Sequence, residues 1–426
     1  MITPRSAGNA NRLSLLHIYL SKKMLIMLVL GFSSGMPLAL TGSTLSAWMV
    51  TEGVDIKTIG LFSLVGLPYA LKFLWSPFMD RFVPPFLGRR RGWMIVAQLA
   101  LMASITLMGF FNPSSHPVLV AFLAVAIAFF SASQDIVLDA YRTELLDPNE
   151  RGAGAGIWIM GYRIAVLMSG AVSLILSDFL SWRTVYVIMG GMMVIGCLTT
   201  LLTREPTRTA PDGQRITPPK SLKEAVIFPL VEFLKRPGAI EILLFVVFYK
   251  IGDVAASQMT TPYILEYIGF SRTELGTIFK GFGMAATIVG SLAGGALMIR
   301  WTLKRALFIF GILQGMSTIT FILLEFTGRQ IWALGLVIGV ENFCGGLGTA
   351  AYTALLMGLC NTKFTATQYA LLSSLMAVSR YVTGAPTGYL VDAAGWAPFF
   401  IICTVLALPG LLLLLRYDRW AVEAQR

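Results

Sequence analysis

The chain has 426 residues, is 56% hydrophobic and only 13% charged, with a mean hydropathy of +0.73. Soluble domains carry about a quarter charged residues, so this composition excludes a soluble domain and marks an integral membrane protein. The net charge of +11 could suit a nucleic-acid partner, but the cations sit in short loops between apolar runs, which is a topology signal and not a binding face.

Lys22 and Lys23 precede an apolar run from Met24 to Trp48. The run is longer than the core of a cleavable signal and lacks its small-residue cleavage site, so it reads as the first spanning helix. Hydropathy predicts twelve spans, at 24–48, 57–79, 93–111, 117–141, 152–176, 183–203, 239–265, 273–299, 304–325, 331–358, 366–390 and 396–416. Arg5, Arg12, Lys22 and Lys23 lie in the first tail, Arg81 and Arg89 to Arg91 after the second span, and Arg142 and Arg151 after the fourth. Arg300, Lys304 and Arg305 follow the eighth, and Arg416, Arg419 and Arg426 end the chain. The loops between, such as "TEGVD" and "NPSSHP", carry few cations, so the positive-inside rule places both termini in the cytoplasm.

Residues 204–238 are the one sizeable polar stretch, and they divide the chain into 1–203, a linker, and 239–426. "TREPTRTAPDGQRITPPK" is Pro-rich and polar. In "SLKEAVIFPLVEFLKRP", Ser221 stands three residues before Glu224 as a possible cap, and the apolar positions predict a helix along the inner membrane surface. The halves echo one another. Gly53 and Gly60 are repeated by Gly269 and Gly276 at an offset of 216, and Arg163 by Arg380 at 217. That supports a duplicated six-helix unit.

Ionisable residues inside the spans are the functional signal. They are Lys72, Asp135, Asp139, Arg163, Lys250, Asp253, Lys280, Glu341 and Arg380. Each costs about 3 kcal/mol at mid-bilayer, so each should face a partner or a cavity. Near a span end the bland reading is a snorkelling or structural charge, and Lys72, Asp139 and Arg380 lie nearest the ends. Lys250 and Asp253 are three apart on one face and can neutralise each other. Asp135 has no cation at helical spacing, whereas Asp139 lies within reach of Arg142. His17 and His116 fall outside the spans, which leaves carboxylates as the proton carriers: Asp135 first, then Asp139, Asp253 and Glu341. Aromatics and amides accompany the charges: Tyr69 near Lys72, Gln134 beside Asp135, Trp158 and Tyr162 near Arg163, Tyr249 beside Lys250, and Asn342 beside Glu341. With the cations Lys72, Arg163, Lys250, Lys280 and Arg380 they make a candidate site for a sugar or amide-rich solute. Cys197, Cys344, Cys360 and Cys403 lie in apolar runs with no metal-ligand or disulfide spacing, so no metal and no cofactor other than a proton is expected.

The stretch "SPFMDRFVPPFLGRRRGW" resembles the G-x-x-x-D-R-x-G-R-R loop of the major facilitator superfamily, lengthened by "VPPFL" and with Pro77 in place of the opening glycine. Asp80, Arg81, Arg89 and Arg90 match its charged positions, and the resemblance implies a gating latch. With "GFSSGMPLALTGSTLSAWM", "FFSASQDIVLDAY", "ERGAGAGIWIMGYR", "YKIGD", "ENFCGGLGTAAYTALLMGLCN" and "ATQYALLSSL", the chain resembles the AmpG-type muropeptide permeases nearly end to end.

The resemblance implies a twelve-helix carrier of two six-helix bundles in a Gram-negative inner membrane. It implies a proton-driven importer of N-acetylglucosaminyl-1,6-anhydro-N-acetylmuramic acid, with or without peptide, for peptidoglycan recycling and β-lactamase induction, acting as a monomer and not as an enzyme. Better-known members carry two further hydrophobic segments beyond the position of Arg426, so either those are dispensable or this protein differs in a regulated property. The alternative is a related carrier of another bulky polar solute, such as a siderophore or acetyl-CoA. An intramembrane aspartyl protease is disfavoured, because "KIGD" lacks the first glycine of a G-x-G-D motif.

Overall fold

The computed structural model describes residues 18–54, 58, 62–206, 222–361 and 364–421, and these are helical with no strand among them. The first expected span is bent: α1 (Lys22–Thr41), capped by the Ser21 hydroxyl, breaks at Gly42 and resumes as α2 (Ser43–Thr51). The second is not one helix. It runs as a 3-10 turn (Phe62–Gly66), a short helix (Leu67–Leu71), a second 3-10 turn (Lys72–Leu74) and α3 (Ser76–Arg81). Pro68 and Pro77 cause this, because each lacks the N–H a continuing helix needs and so stands at the start of a new turn.

α4 (Arg89–Met108), α5 (Pro117–Leu145), α6 (Arg151–Leu167) and α7 (Trp182–Leu202) complete the first group. The middle segment contains a helix, α8 (Leu222–Leu234); its expected cap, Ser221, lies outside the described residues. The second group comprises α9 (Ala239–Pro262), α10 (Gly283–Met298), α11 (Leu303–Ile319), α12 (Ile331–Leu359), α13 (Thr365–Ala394), α14 (Trp396–Val405) and α15 (Leu408–Leu414). π-helical segments follow α6 and α9 and precede α10, at Met168–Val172, Tyr263–Tyr267 and Gly276–Phe282.

Among the described residues eight helical runs are long and apolar enough to cross a membrane, and Leu64–Leu74 and Gly283–Met298 are shorter apolar helices. Large apolar side chains such as Val118, Phe122, Leu202 and Phe326 stand fully outward. A water-facing surface would hide them, whereas a lipid-facing one requires them. The protein is a multi-pass membrane protein.

The apolar core divides in three. One cluster mixes Met24, Val137 and Trp158 of the first group with Phe245, Leu355 and Leu372 of the second. A second holds first-group residues alone, including Leu40, Ile105 and Met189, and a third holds second-group residues alone, including Tyr263, Val337 and Phe400. The groups therefore share a core at one end and have separate cores at the other. At the shared end α6 crosses α10 through small residues. A Cβ on Gly156 would lie 2.6 Å from the Ser291 carbonyl oxygen, and one on Gly295 would lie 2.7 Å from that of Gly152. Gly156→Ala is expected to force the crossing apart at a cost of about 1–3 kcal/mol, the range for overpacking. A lowered thermal midpoint in detergent checks this, and an unchanged midpoint refutes it.

Candidate functional site

The hydrogen bonds that join the two helix groups, among the described residues, lie at the shared end. Asp80 is central there. It is 0% exposed and is the last residue but one of α3. Its Oδ1 pairs with the Arg90 guanidinium at 3.0 Å, while Oδ2 accepts from both the backbone N–H and the hydroxyl of Thr367, each at 2.8 Å. Thr367 belongs to the first turn of α13, where free amides and the helix dipole favour an anion. Glu144 holds Arg90 at 2.6 Å and Arg89 at 3.5 Å. Glu205 caps α4 by accepting from the amides of Arg90 (2.8 Å) and Arg91 (3.0 Å). Arg81 is not part of this latch; its guanidinium lies 5.1 Å from the centre of the Phe82 ring.

The residues after Thr367 continue the seam. Gln368 donates to Glu232 Oε2 at 2.5 Å and to the Pro229 carbonyl at 3.2 Å, fastening α8 to α13. Tyr369 accepts a hydrogen bond from Arg142 of α5, whose guanidinium also lies 4.7 Å from the Trp158 ring and 5.2 Å from the Tyr369 ring. Glu144, Glu205, Gln368 and Tyr369 were not singled out from the sequence. Their partners lie far along the chain, and two of them are neutral.

Beside this seam, within the first group, Asp139 is shared by two cations, Arg142 at 2.7 Å and Lys72 at 3.6 Å. The i,i+3 pairing with Arg142 is as the spacing predicts. Asp135, one turn away, is half-buried and accepts from the Ser34 hydroxyl at 2.6 Å, so it has a neutral partner from α1. The Tyr69 hydroxyl is buried without a hydrogen-bond partner among the described residues. Arg163 and Tyr162 are half-buried near the middle of the run that α6 begins. No hydrogen bond or ion pair to Arg163 occurs among the described residues.

In the second group Lys250 bonds Asp253 (3.5 Å), Gln314 (3.0 Å) and Thr349 (3.1 Å). An ammonium has three donors, so Lys250 is satisfied by α9, α11 and α12 without any ligand. Glu341 lies against Asp253 with Lys250 nearby, and Asn342 accepts from Thr287 at 3.0 Å.

Three expected contacts are redirected. Gln134 turns toward α1, where its Nε2 donates to the Ser33 carbonyl at 3.1 Å. Pro37 has no N–H to offer that carbonyl, so Gln134 replaces the missing helical bond. Trp158 stacks on Arg142 and not beside Arg163. Tyr249 faces away from Lys250's partners, donating to the Leu307 carbonyl at 3.0 Å and stacking on Tyr352. The side chains of Lys280 and Arg380 lie outside the described residues. Outside the membrane runs, Asp147 receives a 2.8 Å hydrogen bond from Lys23, which holds its carboxyl below the ordinary aspartate value.

The Major Facilitator Superfamily model matches residues 27–386 and 259–424. The chain is 49% identical over 401 residues to the anhydromuropeptide permease of Escherichia coli (strain K12), covering 94% of this chain and 80% of that one. It is 32% identical over 410 residues to the putative transporter AmpG 1 of Rickettsia conorii, covering 93% and 98%. The solved proton:xylose symporter XylE superposes with a TM-score of 0.70 over 93% of this chain and 95% of its own, at 11% identity, which shows a shared fold.

Asp80→Asn keeps the shape but removes the charge, and breaking a buried pair in this way costs about 3–5 kcal/mol. The seam is expected to loosen, so that half-buried Cys360 at the end of α12 reacts several-fold faster with a maleimide. An unchanged rate refutes the latch.

Proposed function

We propose that this chain, which belongs to the major facilitator superfamily and within it to the AmpG-type muropeptide permeases, imports anhydro-muropeptides by proton symport across a Gram-negative inner membrane. It is a carrier and not an enzyme. In this reading twelve helices form two six-helix bundles, 1–203 and 239–426, joined by the 204–238 linker, with both termini in the cytoplasm. The seam at Asp80 is then the cytoplasmic floor, and the separate cores at the other end flank a mouth open to the periplasm. Rocking of one bundle on the other exposes the site to each side in turn.

The observation that carries the reading is Arg163. Lys72 and Arg142 are held by Asp139, and Lys250 by three partners. Arg163 alone of these four cations has its donors free among the described residues. A desolvated, unpaired guanidinium is expensive unless a ligand completes it, and a bidentate carboxylate fits its fork. A muropeptide supplies carboxylates through its lactyl and peptide groups.

Carrying an anion into a negative interior costs about 2.3 kcal/mol per charge per 100 mV, which a co-transported proton offsets. Asp135 is the entry point for that proton and Asp139 the gate. Asp139 holds Arg142 at 2.7 Å and Arg142 in turn donates to Tyr369 across the seam, so opening the floor has to break that chain of contacts.

The test is uptake of labelled anhydro-muropeptide into proteoliposomes under an imposed pH gradient; uptake indifferent to the gradient would refute symport. Asp135→Asn is expected to abolish driven uptake while leaving exchange of preloaded substrate largely intact. Arg163→Gln is expected to raise the half-saturating concentration about 30- to 150-fold, the loss of about 2–3 kcal/mol from a charge-assisted pair. Wild-type affinity in that variant would remove Arg163 from the site.

A further inference from the structure

A cavity of about 800 Å³ opens at the shared end, between the starts of α6 and α11 and the ends of α10 and α12. Asn149, Arg151 and Lys304 form its polar wall, and Met298, Trp301 and Leu355 its apolar one. Arg151 is the first residue of α6, whose preceding residue, Glu150, makes no side-chain cap. A cation at the positive end of a helix dipole is unfavourable, and the unfilled amides there add to the demand for an anion.

Arg151 is paired with none among the described residues, the Asp147 carboxylate attracting it only from beyond ion-pair distance. It has no hydrogen bond or ion pair there, and its Nε is fully buried without a partner. The nearby acids are engaged elsewhere. Asp147 and Glu150 both bind the Lys23 ammonium, at 2.8 and 2.7 Å, and Glu150 also accepts the Asp147 amide at 3.1 Å. Asp418, on the far wall, bonds Lys304 at 2.5 Å. α11 also begins at this cavity, with Thr302 as its cap.

We propose that the cavity binds a phosphate-bearing anion, supplied by an anionic phospholipid headgroup of the adjoining leaflet or by free phosphate, and seated on Arg151 at the N-terminus of α6. The chemistry is that of a helix N-terminus reinforced by a guanidinium. The space exceeds what a bare phosphate fills, and Met298, Trp301 and Leu355 offer apolar contact to the glycerol and upper acyl carbons of a lipid. Basic clefts between helices at this membrane level suit acidic headgroups. Walls from both helix groups make the occupant a bridge across the seam. The inference stands whatever solute the carrier moves.

The test compares thermal midpoints of the full chain in nanodiscs of phosphatidylcholine alone, of phosphatidylcholine with phosphatidylglycerol, and of phosphatidylcholine with added inorganic phosphate, for wild type and Arg151→Gln. Stabilisation of the wild type by phosphatidylglycerol alone, lost in the variant, supports the lipid source. Stabilisation by phosphate, likewise lost, supports the soluble source. No stabilisation, or the same stabilisation in both proteins, overturns the proposal. If Arg151→Gln fails to fold, native mass spectrometry of the wild type decides. A retained phosphatidylglycerol, or a midpoint raised by phosphate, supports the site, and the absence of both overturns it.

Discussion

One carboxylate is divided between two bodies. Asp80 gives one oxygen to Arg90 within its own helix group and the other to Thr367 across the seam. Burying an ion costs several kcal/mol unless good geometry and further hydrogen bonds repay it, and both are present here. Arg90 is held by Glu144, while Glu205 caps the helix that carries it, so the ion pair is anchored within the first group as well as across the seam. The closed seam depends on that arrangement. The same end holds the Arg142 to Tyr369 contact and the α6–α10 crossing, while the two other cores stay apart.

The charges in the membrane separate into those that hold the protein together and those left over. Asp139 binds two cations, and Lys250 spends all three donors on three helices. Neither cation group needs a ligand to be stable. Arg163 and Arg151, by contrast, make no hydrogen bond or ion pair among the described residues. A count of donors and acceptors distinguishes these roles, whereas a count of charges does not.

Much of this was legible in the sequence where the interaction is local. Asp139 with Arg142 and Lys250 with Asp253 follow from helical spacing, and the Asp80 to Arg91 loop follows from its charge pattern. The rest depends on distance along the chain. Ser34 meets Asp135 across 101 residues and Thr367 meets Asp80 across 287, and neutral partners leave no pattern to read. The partner of Gln134 was not legible because the carbonyl it serves is freed by Pro37, far upstream. Pro68 and Pro77 were visible, but continuous hydrophobicity outweighed them and the second span was expected to be whole. The twelve-span count and the roles of Lys280 and Arg380 rest on the sequence alone.

Thr367, Gln368 and Tyr369 are consecutive, and each fastens α13 to a different element: α3 through Asp80, α8 through Glu232, and α5 through Arg142. Three neighbouring residues on one helical turn cannot be pulled away one at a time. When the start of α13 moves, the load falls on all three attachments together, and they fail or re-form as a unit. The seam therefore behaves as a two-state clasp with a steep barrier, and its leakiness is set by the weakest of the three, because losing any one lowers the barrier for the others.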